Sequence, residues 1–263
     1  MSGPIAHAGA RAPLPETPRA LERGPVIVFA PHADDDIIGC GGSAAIHAAQ
    51  GDPIKVVVAY DGTAGDPEHR YSPADLRALR QREARAGGKH LGLSDYEFWD
   101  YPEGHEPPPE LERAGAERVA ALIRALRPRT IYAPWIGEHH LDHHVLARVV
   151  RLGVELARER GPASVGTASA TSSASTTGSS RDAAGQTCTA WGYEVWTPLV
   201  PTRIVDITSW RDAKVRALEE HKSQLEYTDH VHKALGMQAQ RSLYLPAGSR
   251  YGEAFAPLGS HAG

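Results

Sequence analysis

Short apolar runs rich in β-branched residues alternate with helix-like stretches along the first half of the chain, and no other feature restricts its fold as much. The first run, from Val26 to Ala30, is stopped by Pro31, as a buried parallel strand is. Residues 43–50 are alanine-rich and end at Gly51, a helix stop, ahead of a second run at 54–60. The pattern then repeats. An Arg-rich helix is expected at 73–90, a strand near 96–99, a helix at 110–126, a strand at 130–135 and a helix at 143–160. This alternation predicts an α/β fold with a Rossmann-like, mostly parallel sheet, helices on both faces and an active site at the carboxyl ends of the strands. Further strands are expected at 193–196 and 203–207, then one amphipathic helix from 209 to about 227.

With 263 residues and 41% hydrophobic content, the chain can bury a full core. A single domain is expected at 24–258, behind a flexible N-terminal arm at 1–23. Within it, 163–190 is expected to be a low-complexity surface insertion. Its stretch 163–180 holds only Ala, Ser, Thr and Gly apart from Val165, too little apolar area to offset the entropy of ordering. The net charge of -4 recommends neither nucleic acid nor an anionic membrane as partner. A small molecule is expected, and homo-oligomerisation is left open. Two cysteines, Cys40 and Cys188, make no disulfide framework, and no apolar leader or membrane-length run is present, so a cytoplasmic location is expected.

Directly after the first run stand His32, Asp34, Asp35 and Asp36. Three acids beside an imidazole repel one another unless solvated or neutralised by a cation, and a His and carboxylate set suits Zn²⁺. The second cluster runs from Glu138 through His139, His140, Asp142 and His143 to His144, just after the strand expected at 130–135. The plainer reading is that Asp34 or Asp35, and Asp142, cap the helices that follow. Two clusters after two parallel strands favour convergence on one metal with a position left open for water. Gly39, Gly41 and Gly42 do not meet the dinucleotide-binding spacing, and the acids before them would repel a pyrophosphate.

The stretch from Pro31 to Gly42 resembles the His-Pro-Asp-Asp-Glu signature of the PIG-L/LmbE-like N-acetylglucosaminyl deacetylase family. His140-Leu141-Asp142-His143 resembles its second motif, His-x-Asp-His. The likeness continues through Arg80 and Glu83 ahead of Leu91-Gly92-Leu93, and through Val205-Asp206-Ile207 before Lys214 and His221-Lys222-Ser223-Gln224. Ala33 replaces the family's usual Pro and Asp36 its usual Glu. The resemblance implies removal of an N-acetyl or other N-acyl group from an N-acetylglucosamine-type amino sugar or its conjugate. It implies Zn²⁺, or another divalent metal such as Fe²⁺, on His32, Asp35 and His143. Asp34 is then the general base, His140 the general acid oriented by Asp142, and Arg80 a substrate contact. Arg80 has a plainer reading as an exposed helix partner of Glu83. Two rival functions remain: a metal-dependent amidase acting on a thiol conjugate or other small amide, and an inactive metal-binding module.

Overall fold

The computed structural model describes residues 13–159, 179–181 and 187–258. Its centre is the sheet that the alternating runs predict. Strand β1 (Val26–Ala30) pairs in parallel with β2 (Ile54–Tyr60) and β4 (Thr130–Pro134), and β2 pairs in parallel with β3 (Asp95–Tyr101). Strand β6 (Thr187–Tyr193) continues the parallel set beside β4. The far edge is antiparallel: β8 (Gly252–Pro257) lies between β6 and β7 (Arg203–Asp206) and opposes both, giving the order β3-β2-β1-β4-β6-β8-β7. A short strand, β5 (Ser179–Arg181), pairs antiparallel with the start of β6.

Period-two alternation divides β1 between two cores. Val26, Val28 and Ala30 join the cluster under α1 (Asp35–Ala49), α2 (Pro73–His90), α5 (Arg211–Glu219) and α7 (His230–Arg241). Ile27 and Phe29 join the cluster under α3 (Pro109–Leu126) and α4 (Leu141–Glu159). Cover on both faces makes the central parallel strands β1, β2 and β4 largely apolar, which is why these runs stand out in the sequence. Helix α1 packs unusually close to the sheet. A Cβ on Gly39 would come within 2.1 Å of the Tyr193 ring, and one on Gly42 within 2.6 Å of Ile207. These two glycines therefore permit the contact that positions α1, rather than forming a nucleotide loop.

Several expectations need correction. Residues 13–23 of the expected flexible arm are mostly exposed but are tied to the domain at a few points. Glu16 bridges to Arg203, whose guanidinium also bonds Glu22, and Leu21 enters the core at 4% exposure. The first twelve residues lie outside those described. So do 160–178 and 182–186 of the expected insertion and its approach. The insertion does not extend to residue 190, however, because 187–190 form the first half of β6, with Thr189 and Ala190 paired to Thr130 and Ile131 of β4. Of the strand expected at 193–196 only Tyr193, the last residue of β6, is in a strand, and 194–196 lie in the loop that follows. The single helix expected from 209 to 227 is broken: α5 stops at Glu219 and a short α6 (Lys222–Leu225) follows. No element was expected beyond it, where α7 and β8 form.

Candidate metal and catalytic site

The carboxyl ends of β1, β3, β4 and β6 deliver side chains to one cavity of about 190 Å³. From β1 come His32, Asp34 and Asp35, and from the start of α4 come His140 and His143. All five site residues from the two motifs therefore line a single space, and Asp142 stands beside it. Asp35 Oδ2 is 3.1 Å from His32 Nδ1 and 3.2 Å from His143 Nε2. Donor atoms around a tetrahedral Zn²⁺ with bonds of about 2.0–2.1 Å are about 3.3 Å apart, so the spacing fits such an ion.

The chemistry around these donors fits as well. The other ring nitrogen of His32, Nε2, is 3.2 Å from Asp142 Oδ2 and 3.2 Å from Glu103 Oε2. A proton held there leaves Nδ1 with a free lone pair. The second nitrogen of His143, Nδ1, is buried without a hydrogen bond and lies 3.8 Å from Glu138 Oε2. Each candidate imidazole ligand thus faces a carboxylate on its far side, the arrangement that orients metal-binding histidines. Burial opposes charge on His32, but its bonds to Asp142, Asp35 and Glu103 outweigh that and hold its pKa well above the usual imidazole value. Burial likewise opposes charge on Asp35, and the His143 and His32 rings outweigh it, holding the carboxyl well below the usual range. The donors are buried and close together, and two imidazoles with a carboxylate form a set that suits a divalent cation. Two overlapping groups could hold it, His32, Asp35 and His143, all buried, and His32, His140 and Asp142, of which His140 is exposed.

The plainer capping readings do not describe the geometry. Asp34 stands at the N-cap of α1, but its side chain makes no capping hydrogen bond. Its carboxylate instead lies 3.5 Å from an Arg80 nitrogen and 3.5 Å from His230 Nδ1. Asp142 accepts from the Gly104 backbone N–H at 2.8 Å with its other oxygen. Asp142 is closer to His32 than to His140, whose Nδ1 is 3.8 Å away. His140 is half exposed, and burial together with the His143 and His32 rings holds its pKa below the usual imidazole value.

Arg80 is not an exposed partner of Glu83. It is 4% exposed, donates to the Gly62 carbonyl at 3.0 Å and reaches Asp34. Glu83 is occupied by Ser223, accepting from its N–H at 2.9 Å and its hydroxyl at 2.6 Å. Asp36 turns away from the cavity and accepts from the Tyr96 hydroxyl at 2.8 Å; burial raises its pKa to about 7. Of the flanking histidines expected to face solvent, His139 does, whereas His144 is half-buried and its Nδ1 bonds the Ile136 carbonyl at 2.8 Å.

Sequence reasoning gave no role to Glu103, Glu138, Trp196 or His230. Glu103 follows β3 and Trp196 follows β6, both at the same edge of the sheet as the motifs. The rule that ligands bind beyond the carboxyl ends of parallel strands, applied to every strand, would have singled out both.

Residues 27–153 match the family model PIG-L: GlcNAc-PI de-N-acetylase. The chain is 30% identical over 142 residues to a 1D-myo-inositol 2-acetamido-2-deoxy-alpha-D-glucopyranoside deacetylase of Kineococcus radiotolerans, an alignment covering 43% of this chain. The chain spans only 39% of that relative's length. Among solved structures, the conserved protein TT1542 of Thermus thermophilus superposes with a TM-score of 0.68 at 25% identity, over 88% of this chain and 93% of that one. GalB, the 4-carboxy-2-hydroxymuconate hydratase of Pseudomonas putida, superposes with a TM-score of 0.69 over 92% and 98% of the two chains; at 20% identity this likeness shows the fold alone. All the residues of the two motifs, from His32 to His143, fall within the segment 27–153 that matches the PIG-L family model.

Proposed function

We propose that the protein is a metal-dependent hydrolase that removes the acetyl group from the nitrogen of an N-acetylglucosamine-type amino sugar or its conjugate. The observation that carries this reading is the buried triad His32, Asp35 and His143, with donor atoms 3.1–3.2 Å from the shared Asp35 oxygen, opening on a cavity that also holds Asp34 and His140. The family description and the 30% identical deacetylase support the substrate class. A divalent cation bound by the triad, Zn²⁺ by the donor set, would polarise the amide carbonyl and acidify a water.

The chain's own residues then divide the proton work. Asp34, held beside Arg80, accepts a proton as water adds to the acyl carbon. The bond formed is C–O and the bond broken is C–N, so the departing nitrogen needs one proton to leave as an amine. His140 supplies it. Negative charge growing on the substrate oxygen raises the proton affinity of this imidazole when the proton is needed. Asp142 steadies His32 and His140 together, and Arg80 holds the Asp34 carboxylate while the rest of its guanidinium borders the substrate. The test is to load purified protein with zinc and assay a panel of N-acetylglucosamine conjugates for released primary amine and acetate. Release from amino-sugar conjugates supports the proposal. Release only from thiol-conjugate amides, or none with the metal bound, rejects it.

A further inference from the structure

The cavity is polar on nearly every side: its lining includes three carboxylates, four histidines and Arg80. One wall differs. Trp196, in the loop after β6, lines the cavity and remains 37% exposed, one of the few large apolar side chains so placed. An aromatic side chain on the wall of a polar cavity offers a ligand an apolar face. This one is also held still. Glu138 accepts backbone N–H groups from Val195 at 2.6 Å, Trp196 at 3.1 Å and Thr197 at 3.3 Å. The Trp135 indole donates to the Thr197 carbonyl at 2.8 Å, and the Thr197 hydroxyl accepts from the His139 N–H at 3.0 Å. The loop is therefore strapped to the second motif. The Trp196 ring is braced in turn by His230, with ring centroids 5.3 Å apart and planes at 88°.

A rigid, flat, apolar surface beside a set of polar groups matches one class of ligand. A pyranose ring carries equatorial hydroxyls around its rim and C–H bonds on its faces. The rim needs hydrogen-bond partners, which Arg80, Gln224 and Glu103 offer; the face needs an aromatic plane. An acyclic amide has no such face. We infer that Trp196 is the specificity-determining residue of this site, the platform on which the pyranose ring of the substrate stacks, with His230 as the residue that positions it. The inference rests on the amino-sugar reading above and goes further by assigning the selection of a ring to one side chain. Pre-organisation by Glu138 means little entropy is lost when the ring binds.

The experiment compares Trp196→Leu, Trp196→Ala and Trp196→Phe with the wild type. Leu keeps apolar bulk but has no flat face, so it carries the test should the Ala variant fold poorly. Stacking contributes to ground-state binding, so the expected result is a roughly tenfold rise in KM for an N-acetylglucosamine conjugate in the Leu variant, with little change in kcat and in bound metal. Phe should restore most of the loss. Saturation-transfer NMR of N-acetylglucosamine on zinc-loaded Asp34→Asn protein reads binding without turnover. The C–H protons of one sugar face should receive saturation with Trp or Phe at position 196 and lose it with Leu. An unchanged KM and unchanged saturation in the Leu variant overturn the inference while leaving the deacetylase proposal standing. Sugar binding through Trp196 without turnover of any acetamide sinks the deacetylase proposal and keeps the platform. Absence of any binding of N-acetylhexosamines by the wild type overturns both.

Discussion

Asp34 and Asp35 are adjacent in the chain, yet the start of α1 sends them to different partners. Asp35 faces two imidazoles at 3.1 and 3.2 Å, whereas Asp34 faces Arg80 and His230. The separation makes their roles distinguishable. Asp34→Asn keeps the size of the side chain but cannot take a proton, so turnover should fall by roughly 10²–10⁴-fold while metal content holds. Asp35→Ala removes a donor from the triad and should lose metal. Metal analysis and activity on the same samples check this; a metal-free Asp34→Asn protein with a fully loaded Asp35→Ala protein would exchange the two roles. His32, Asp34, Asp35, His140 and His143 were legible because acids and imidazoles crowd into two short stretches after apolar runs. Glu103, Trp196 and His230 were not, because each stands alone outside those two stretches and only the tertiary fold brings it to the cluster, while Glu138 heads the second stretch without any pattern that marks its contact with His143.

At the scale of elements, α1 is two helical pieces joined at Cys40, whose φ of -141° and ψ of 17° are not helical. A break inside a helix leaves fresh backbone donors and acceptors that must be satisfied. Glu253, from β8, accepts the Gly42 N–H, the Ser43 N–H and the Ser43 hydroxyl, each at 2.7 Å. Lys214, from α5, donates to the Ile38 carbonyl at 2.9 Å and to Glu253 at 2.6 Å. Both side chains are fully buried. Glu253→Gln strands the Lys214 charge and should cost about 3–5 kcal/mol in urea unfolding. Lys214→Met should cost less, since Glu253 keeps three donors; the reverse order would show that the carboxylate is not the hub of the kink. Next to α6, His221 is fully buried, has no hydrogen-bond partner on either ring nitrogen among the described residues, and burial lowers its pKa to about 4 from 6.5. An imidazole kept neutral in the fold gives stability that is complete above pH 6.5 and is lost as the pH falls toward 4, because the unfolded chain gains a proton that the fold refuses. His221→Leu should flatten the stability curve in that window by up to about 1.4 kcal/mol per pH unit. An unchanged slope in urea titrations at several pH values would remove His221 from the acid response. Strands β1, β2 and β4 were readable from sequence because both their faces are buried. Strand β8 was not, since Gly252-Glu253-Ala254 places a charge and a glycine where a core strand is expected to be apolar, and the Lys214 partner that permits it is 39 residues away. Strand β6 was hidden for a similar reason: Thr187-Cys188-Thr189 continues the small polar composition of the segment before it, and only pairing with β4 makes it a strand.

For the whole molecule, the candidate site ties the two motif-bearing parts of the sheet together. His32 and Asp35 come from the β1 edge and His143 from α4, more than a hundred residues later. The three donors are buried close to one another in the folded state, whereas the unfolded chain does not bring them together. A metal that binds the folded triad far more tightly than the unfolded chain must therefore stabilise the entire fold by mass action, by about 2.7 kcal/mol when its free concentration is a hundred times its Kd. For a chain of this size that corresponds to a rise in Tm of roughly 5–10 °C. Calorimetry of chelator-treated protein, with and without added zinc, should show that rise in the wild type. Asp34→Asn should show it too, because its carboxylate is not in the triad. Asp35→Ala should melt at the same temperature in both conditions. The comparison separates a metal held by the triad from one held elsewhere: a full zinc response in Asp35→Ala would place the binding at other residues, and no response in the wild type would leave the buried His32, Asp35 and His143 cluster as a polar network that folds without an ion.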